Sequence, residues 1–565
     1  GQFLHGIVPD AGYTWHMKTV AEPLSSNAES STQPPSIERI RWLETLTIDD
    51  IGIVGGKTAS LGEMIRNLEG KGIKVPNGFA VTADAYREFI AFNDLEPLIR
   101  SELERQKSGV AMIGETERRI RAAIVDGKFP PALEASVVDA YAELCRLSGV
   151  EDVDVAVRSS ATAEDLPGAS FAGQHESFLA VHGHDDLLHS VLRCFASLFT
   201  ERAIAYRDRK GFDHMSIALS VCVQRMVRSD KGAAGVIFTL DTENGNPDTI
   251  VVNAAYGLGE MVVKGLVTPD EYRIFKPTLK SGFAPIVEKR LGSKESKMVY
   301  GDRFGARVRA VNTPLSERGK YVLTDEQILE LARWANMIEK HYEKPMDIEW
   351  AVDGITGECF IVQARPETVQ SEKSASGLKI SKLKSDNPNL ILEGHAVGNT
   401  IAAGTVCILK RVTEGDKLKA GQILVAVSTD PDWVPLMKRA AGIVTDQGGR
   451  TSHAAIVSRE LGIPAVIGTG TATHELFNGQ EITISCAEGE TGKVYRRILP
   501  YEDIEVDLAG LPKTKTKVML NIASPDAADR WWRLPCDGIG LARMEFIINT
   551  VIRIHPMALA CPDKI

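Results

Sequence analysis

Two polar stretches divide this chain, and they limit its fold more than any single motif does. SEKSASGLKISKLKSDNPN, residues 371–389, and DLAGLPKTKT, residues 507–516, have the Ser/Lys/Asn and Lys/Thr/Pro composition of surface connectors. No single core runs through 565 residues interrupted in this way; at about 150 residues per domain, three or four domains are expected. In the first block, about 40–370, strand-like runs such as DVAVR, GAAGVIFTL and TIVVNAAYGLG alternate with helix-like ones such as GGKTASLGEMIRNLEGKG, where Leu61, Met64, Ile65 and Leu68 recur at helical spacing. A second block, 390–500, carries the β-like runs AGTVCIL, QILVAV, AGIVT and EITIS around one helix, and VMLNIAS opens a third over 515–565. The fold class expected is α/β, an α+β multidomain chain. Residues 1–37, with EPLSSNAESSTQPPS, hold too few large apolar side chains to offset the entropy of ordering and read as a disordered tail. The chain starts at Gly1, and Met17 is an alternative start.

A net charge of −10 argues against nucleic acid or an anionic membrane as the main partner, while leaving room for a local basic pocket. No apolar run reaches the roughly 18 residues of a membrane span, and no charged start precedes an apolar signal region. Eight cysteines lie scattered without a CxxC pair or zinc-ligand spacing, so neither a disulfide framework nor a metal knuckle is indicated and a cytoplasmic location is expected.

Three segments suit phosphate. In GGKTASLGEM the P-loop pattern fails, because the glycine it requires five places before Gly56 is Ile51. What survives is Gly55-Gly56-Lys57 entering a helix, where free N–H groups and an ammonium suit a phosphate, although a plain glycine turn before an amphipathic helix reads the same way. In VAVRSSATAEDLPGASFAGQHESF, residues 155–178, a strand delivers Arg158 to a loop with Gly168 and Gly173 that is able to fold over a nucleotide. A surface arginine at a strand end is the bland alternative. In PMDIEWAVDGITGECFIVQARPETV, residues 345–369, a hairpin turning at Asp353-Gly354 gathers Asp347, Glu349, Gln363 and Arg365 on one polar face, with Phe360 and Val362 on the other. Oxygen ligands beside an arginine suit nucleotide-bound Mg²⁺; a solvated strand face is the competing account.

GGRTSHAAIVSRELGIPAVIG, residues 448–468, sets His453 in the first turn of an apolar helix capped by Thr451 or Ser452. The helix dipole disfavours the imidazolium there and keeps a neutral nitrogen available as a nucleophile. After phosphorylation the same field stabilises phosphoryl oxygens, which Arg450 can neutralise. No second ligand stands at metal spacing, and no GxSxG elbow is present.

Together GGKTASLGEM, VRSSATAEDLPGASFAGQ, MDIEW, FIVQARPETV, TDPDWVPLMKRAAGIVTDQGGRTSHAAIVSRELGIPAVIG and GIGLARMEFI resemble the phosphoenolpyruvate synthase (pyruvate, water dikinase) family, in that family's order, from about residue 40 to 560. The resemblance implies an ATP-grasp nucleotide-binding domain over 38–370, a linker over 371–389, a swivelling phosphohistidine domain over 390–500 and the start of a pyruvate-binding TIM barrel over 515–565. It implies that Lys57, Arg158 and Arg365 hold ATP phosphates, that Gly173 and Ser177 belong to a covering loop, that Gln224 lies near the adenine and that Glu349 and Gln363 hold Mg²⁺. His453 becomes the phosphocarrier between ATP and pyruvate, Thr451 the position reached by a regulatory kinase, and Arg543 the first substrate-binding arginine. For full-length members a homodimer is also implied.

Ser452 stands where the synthases carry cysteine and related dikinases carry serine. A TIM barrel needs around 250 residues, so the expectation is either a fragment or a molecule limited to the ATP half-reaction. Pyruvate, phosphate dikinase, a rifampicin-type antibiotic phosphotransferase and a non-catalytic phosphocarrier remnant stay as alternatives.

Overall fold

The computed structural model describes residues 37–162, 176–279, 283–301, 307–367, 377–385, 388–507, 514–522, 528, 531, 532, 534–548 and 552–561. The chain divides into two units, Gly1–Ile37 and Glu38–Ile565. The expected tail lies outside the described residues except for Ile37, and everything below concerns the second unit.

The α/β alternation read from the sequence resolves into two antiparallel sheets. The first contains β1 (Ile40–Trp42), β2 (Gly78–Val81), β3 (Val155–Ala161), β4 (Ser177–Val181) and β5 (Leu219–Arg225), in the order β1-β2-β5-β3-β4. Val155, Val157, Val221 and Val223 point from it into a core shared with helices such as His184–Ser197. The second contains β6 (Ala233–Phe238), β7 (Thr249–Tyr256), β8 (Asp270–Phe275) and β9 (Ile286–Arg290), followed, after the small hairpin β10 (Ser296–Tyr300) and β11 (Val308–Asn312), by β12 (Met346–Val352) and β13 (Cys359–Pro366). Its order is β13-β12-β6-β7-β8-β9. Ile348, Trp350, Ile361 and Ala364 pack from it against the helix Asp325–Tyr342 and the helix Ile51–Leu68. Burial on both faces explains why β6 and β7 read as nearly unbroken apolar runs.

One detail of the hairpin differs from simple alternation. Glu349 pairs with Gln363 and Trp350 with Ile361, leaving Val362 as the extra residue of a β-bulge. The phase of β13 changes there: Phe360 pairs with Ala351 and packs with it and Val362, so Phe360 and Val362 share the side of Gln363 and Arg365 rather than the opposite side.

The stretch read as the first connector contains a strand. Gly377–Leu383 forms β14, which pairs antiparallel with β22 (Tyr501–Asp507), the strand that enters the second connector. Leu378, Ile380, Ile504 and Val506 alternate in those sequences beneath the polar composition. The block between them closes into a seven-stranded barrel of β15 (Leu390–Val397), β16 (Ile401–Ile408), β17 (Ile423–Ala426), β18 (Gly442–Thr445), β19 (Ala465–Ile467), β20 (Glu481–Ser485) and β21 (Thr491–Arg496), in the order β15-β19-β18-β17-β16-β20-β21. Ile423 and Val425 belong to one core, and Leu424 and Ala426 to another shared with the helix His453–Leu461. Beyond it β23 (Met519–Ile522) and β24 (Gly538–Ala542) pair in parallel. No helix among the described residues is long and apolar enough to cross a membrane.

Candidate functional site: a sheet-to-sheet contact and a docked histidine

Gly55 interrupts the helix Ile51–Leu68 at φ 73° and ψ 161°, so its regular turns start at Gly56-Lys57-Thr58. The glycine is required twice over: a Cβ would meet Ser160 Oγ at 2.3 Å, and the φ is left-handed. That contact presses the helix start against β3, where Thr58 N donates to Ser160 Oγ at 3.4 Å, and leaves Lys57 half-buried.

Arg158 leaves the middle of β3 and crosses to the other sheet. Its Nη1 donates to Val362 O at 3.1 Å and lies 3.9 Å from Glu349 Oε2. The bulge explains the acceptor, because a bulged residue drops out of the ladder and its carbonyl is available to a side chain. Ser177 pairs with Arg158 on β4 and is exposed. Gln224 pairs with Ala156 on β5, which puts it on the face of Arg158; it is buried and donates to Pro76 O at 3.0 Å. Gly173 lies outside the described residues.

Across β12 and β13, Glu349 faces Gln363 and Asp347 faces Arg365, whose Nε and Nη2 both donate to Asp347 Oδ2 at 2.9 and 2.8 Å. The polar face expected of this hairpin is therefore assembled. Among the described residues no group of three or more His, Cys, Asp and Glu is able to cage a metal. A carboxylate beside a carboxamide nevertheless fits Mg²⁺, which takes one or two protein oxygens and fills its shell with phosphate and water.

His453 opens the helix His453–Leu461, capped by Ser452, whose Oγ accepts from Ala455 N at 3.4 Å. Its Nδ1 lies 3.1 Å from Thr429 Oγ1. Burial, and then the nearby Arg202 guanidinium, push the imidazole down to about 4, so it is neutral at pH 7. Arg202 itself pairs with Asp432 at 3.2 Å, beside the ring. The loop before the helix seats on the second sheet's side. A Cβ on Gly265 would meet Ser452 Cβ at 2.5 Å, one on Gly449 would meet Pro269 Cδ at 2.9 Å, and Thr268 Oγ1 donates to Gly448 O at 3.3 Å. Thr451 is buried there, its hydroxyl without a hydrogen-bond partner among the described residues.

Arg450 contacts carboxylates rather than the ring of His453. It donates to Glu490 Oε1 at 3.2 Å and approaches Glu271 Oε1 at 3.7 Å. Glu490 also meets Arg273 Nη1 at 2.7 Å and Arg290 Nη2. Burial opposes charge on Glu490, but Arg450, Arg273 and Arg290 together hold it well below the usual carboxylate range. On the other side of the helix Glu243 receives Arg459 and Gly398 N, the latter at 3.0 Å. Arg543 is exposed just after β24. Sequence reasoning missed Thr429, Arg202, Glu490 and Glu243, and also Asn253, a lone carboxamide inside the apolar run of β7, which was a visible signal.

Residues 51–384 match the family described as pyruvate phosphate dikinase, AMP/ATP-binding domain, and residues 418–489 match PEP-utilising enzyme, mobile domain. The chain is 54% identical over 533 residues to a phosphoenolpyruvate synthase of Aquifex aeolicus, covering 92% of this chain and 62% of that protein. It is 50% identical over 537 residues to one of Synechocystis sp., covering 93% and 66%. It is 42% identical over 582 residues to a probable phosphoenolpyruvate synthase of Staphylothermus marinus, covering 94% and 68%. The chain thus spans about two thirds of the length of the curated relatives it matches.

Proposed function

The chain belongs to the phosphoenolpyruvate synthase family, and from that premise we propose that it moves a phosphoryl group from magnesium ATP to His453 and from there toward pyruvate. ATP lies between the two sheets, its phosphates met by Lys57, Arg158 and Arg365 and its adenine beside Gln224, with Gly173 and Ser177 covering it. Mg²⁺, held by Glu349 and Gln363, supplies neutralisation of the polyphosphate charge.

His453 is suited to attack because its low pKa leaves a lone pair at neutral pH. In the tautomer that donates from Nδ1 to Thr429 Oγ1, that lone pair sits on Nε2. A bond forms from Nε2 to the β-phosphorus as the bridge between the α- and β-phosphates breaks, AMP leaves, and water releases the γ-phosphate. Helix N–H groups then stabilise the phosphoryl oxygens, and Arg450 neutralises them once it exchanges Glu490 for them.

The domains are 38–370 for the nucleotide, 390–500 for the carrier and 515–565 for the start of the pyruvate site, to which Arg543 contributes. The segment 371–389 and its partner strand β22 carry the barrel between sites, a gating motion rather than local chemistry. A regulatory kinase reaches Thr451 only after the histidine loop leaves Gly265–Pro269, since the hydroxyl is buried while docked. Eight free cysteines support a reducing, cytoplasmic setting.

The observation that carries this reading is the register of Glu349 with Gln363 and of Asp347 with Arg365, with Arg158 reaching in from the opposite sheet. Incubation with β-labelled ATP and Mg²⁺ should leave acid-labile, base-stable label on the chain and none on His453→Ala. Equal label on that variant would sink the assignment.

A further inference from the structure

The second sheet carries a straight transverse row on the face of Glu349. Strand register aligns Gln363 on β13, Glu349 on β12, Val236 on β6, Asn253 on β7, Glu271 on β8 and Arg290 on β9. Directly paired residues share a face, so all six lie on one side, and every member except Val236 is polar. One end of the row is the carboxylate and carboxamide read above as the nucleotide's metal ligands. The other end is where Arg450 and Glu490 of the barrel meet Glu271 and Arg290.

Asn253 stands between those ends, and it is unlike its neighbours. It is 1% exposed, and among the described residues neither its Nδ2 nor its Oδ1 has a hydrogen-bond partner. The charged members of the row, Glu349, Glu271 and Arg290, each have an ion-pair partner within the chain. A carboxamide removed from water with neither end satisfied is strongly disfavoured, so its retention in a central strand points to a polar group that arrives from outside. Around it the same face is hydrocarbon: Val236, Phe238 and Ala255 pack with Met261 and Val262 of the one-turn helix Glu260–Val263. Gly257 and Gly265, at φ 86° and 65°, bracket that turn, and Gly265 abuts Ser452 and the backbone of His453.

We propose that Asn253 contacts the polyphosphate of the magnesium nucleotide at its transferring end, beneath the turn Gly257–Gly265. Its Nδ2 donates to a phosphoryl oxygen, and its Oδ1 accepts from a water of the metal's shell. The distance from Glu349 is two strand spacings, about 10 Å, which one extended triphosphate with its hydrated metal bridges. Asn253 then marks the part of the nucleotide that faces the histidine barrel. The proposal rests on the nucleotide-site reading above and adds to it a residue and an orientation.

The test compares the whole chain with Asn253→Leu, measuring affinity for MgATP and for AMP by calorimetry and thermal stability without ligand. A polyphosphate contact predicts at least tenfold weaker MgATP binding, unchanged AMP binding, and an unliganded melting temperature equal to or above that of the original chain, because an unsatisfied amide has been replaced by an apolar side chain of similar volume. Equal loss for AMP and ATP would overturn the proposal, and so would unchanged MgATP binding with a lowered melting temperature, the mark of an amide satisfied by buried water. If Asn253→Leu does not fold, Asn253→Ser is held to the same split between ATP and AMP. Failure of the original chain to bind MgATP at all would instead remove the nucleotide-site reading itself.

Discussion

At the scale of single residues, the decisive quantity is the charge on His453. Burial and Arg202 depress its pKa to about 4, and that of His395, half-buried on β15 beside the Glu271–Arg450 cluster, is likewise pushed down to about 4 by desolvation. In the unfolded chain both titrate near 6.5. A depressed pKa contributes stability that is fully present above about 6.5 and lost as the pH falls through the folded value. The melting temperature should therefore be level above pH 7 and fall between about pH 6.5 and 4. Labelling of His453 from ATP should hold its rate down to about pH 5; a rate already halved at pH 6.5 would show a ring open to water. Gly55→Ala makes a second residue-scale prediction. With a left-handed φ and Ser160 Oγ at 2.3 Å from the new Cβ, the substitution should cost about 1–3 kcal/mol in chemical denaturation and weaken ATP binding by displacing the start of Lys57's helix. Both glycine and histidine were legible in the sequence as a turn and a helix start. The partners Thr429 and Arg202 were not, since they come from segments 24 and more positions away.

At the scale of elements, the β12–β13 hairpin shows how a small irregularity sets chemistry. Alternation in MDIEW and FIVQAR located the polar pairs correctly, but a one-residue bulge cannot be read from period two, because the extra residue is defined only by its partner strand. The bulge releases the carbonyl of Val362 to Arg158. Deleting Val362 should leave Gln363 and Arg365 on their present face while removing that acceptor. A hydrogen bond from a charged donor is worth about 1.5–3 kcal/mol, so MgATP affinity should fall about tenfold or more, with circular dichroism unchanged. Trp350→Ala, by contrast, empties the core beneath the hairpin and should cost about 3–5 kcal/mol of stability. The connectors teach the opposite lesson. Their composition suggested open linkers, yet β14 and β22 pair with each other, because two weakly alternating strands form a ladder once the barrel brings their ends together.

At the scale of the whole molecule, buried ion clusters hold the histidine barrel against the nucleotide sheets: Glu490 among Arg273, Arg290 and Arg450, and Glu243 with Arg459. Glu490→Gln leaves the buried Arg273 and Arg450 and the half-buried Arg290 short of a counter-charge, a loss of about 3–5 kcal/mol for a broken buried pair. It should speed proteolysis within 371–389 and 507–516 and slow labelling of His453 by ATP. Unchanged rates of both would mean that these clusters do not govern docking. The sequence by itself determined the α/β class and the family, because those are carried by local periodicity and by residue types at fixed spacing. Only the tertiary structure decided that Arg450 meets Glu490 and Glu271 and that Asn253 lies unpaired in a polar row. Those facts depend on which strands become neighbours, and a one-dimensional pattern does not contain that information.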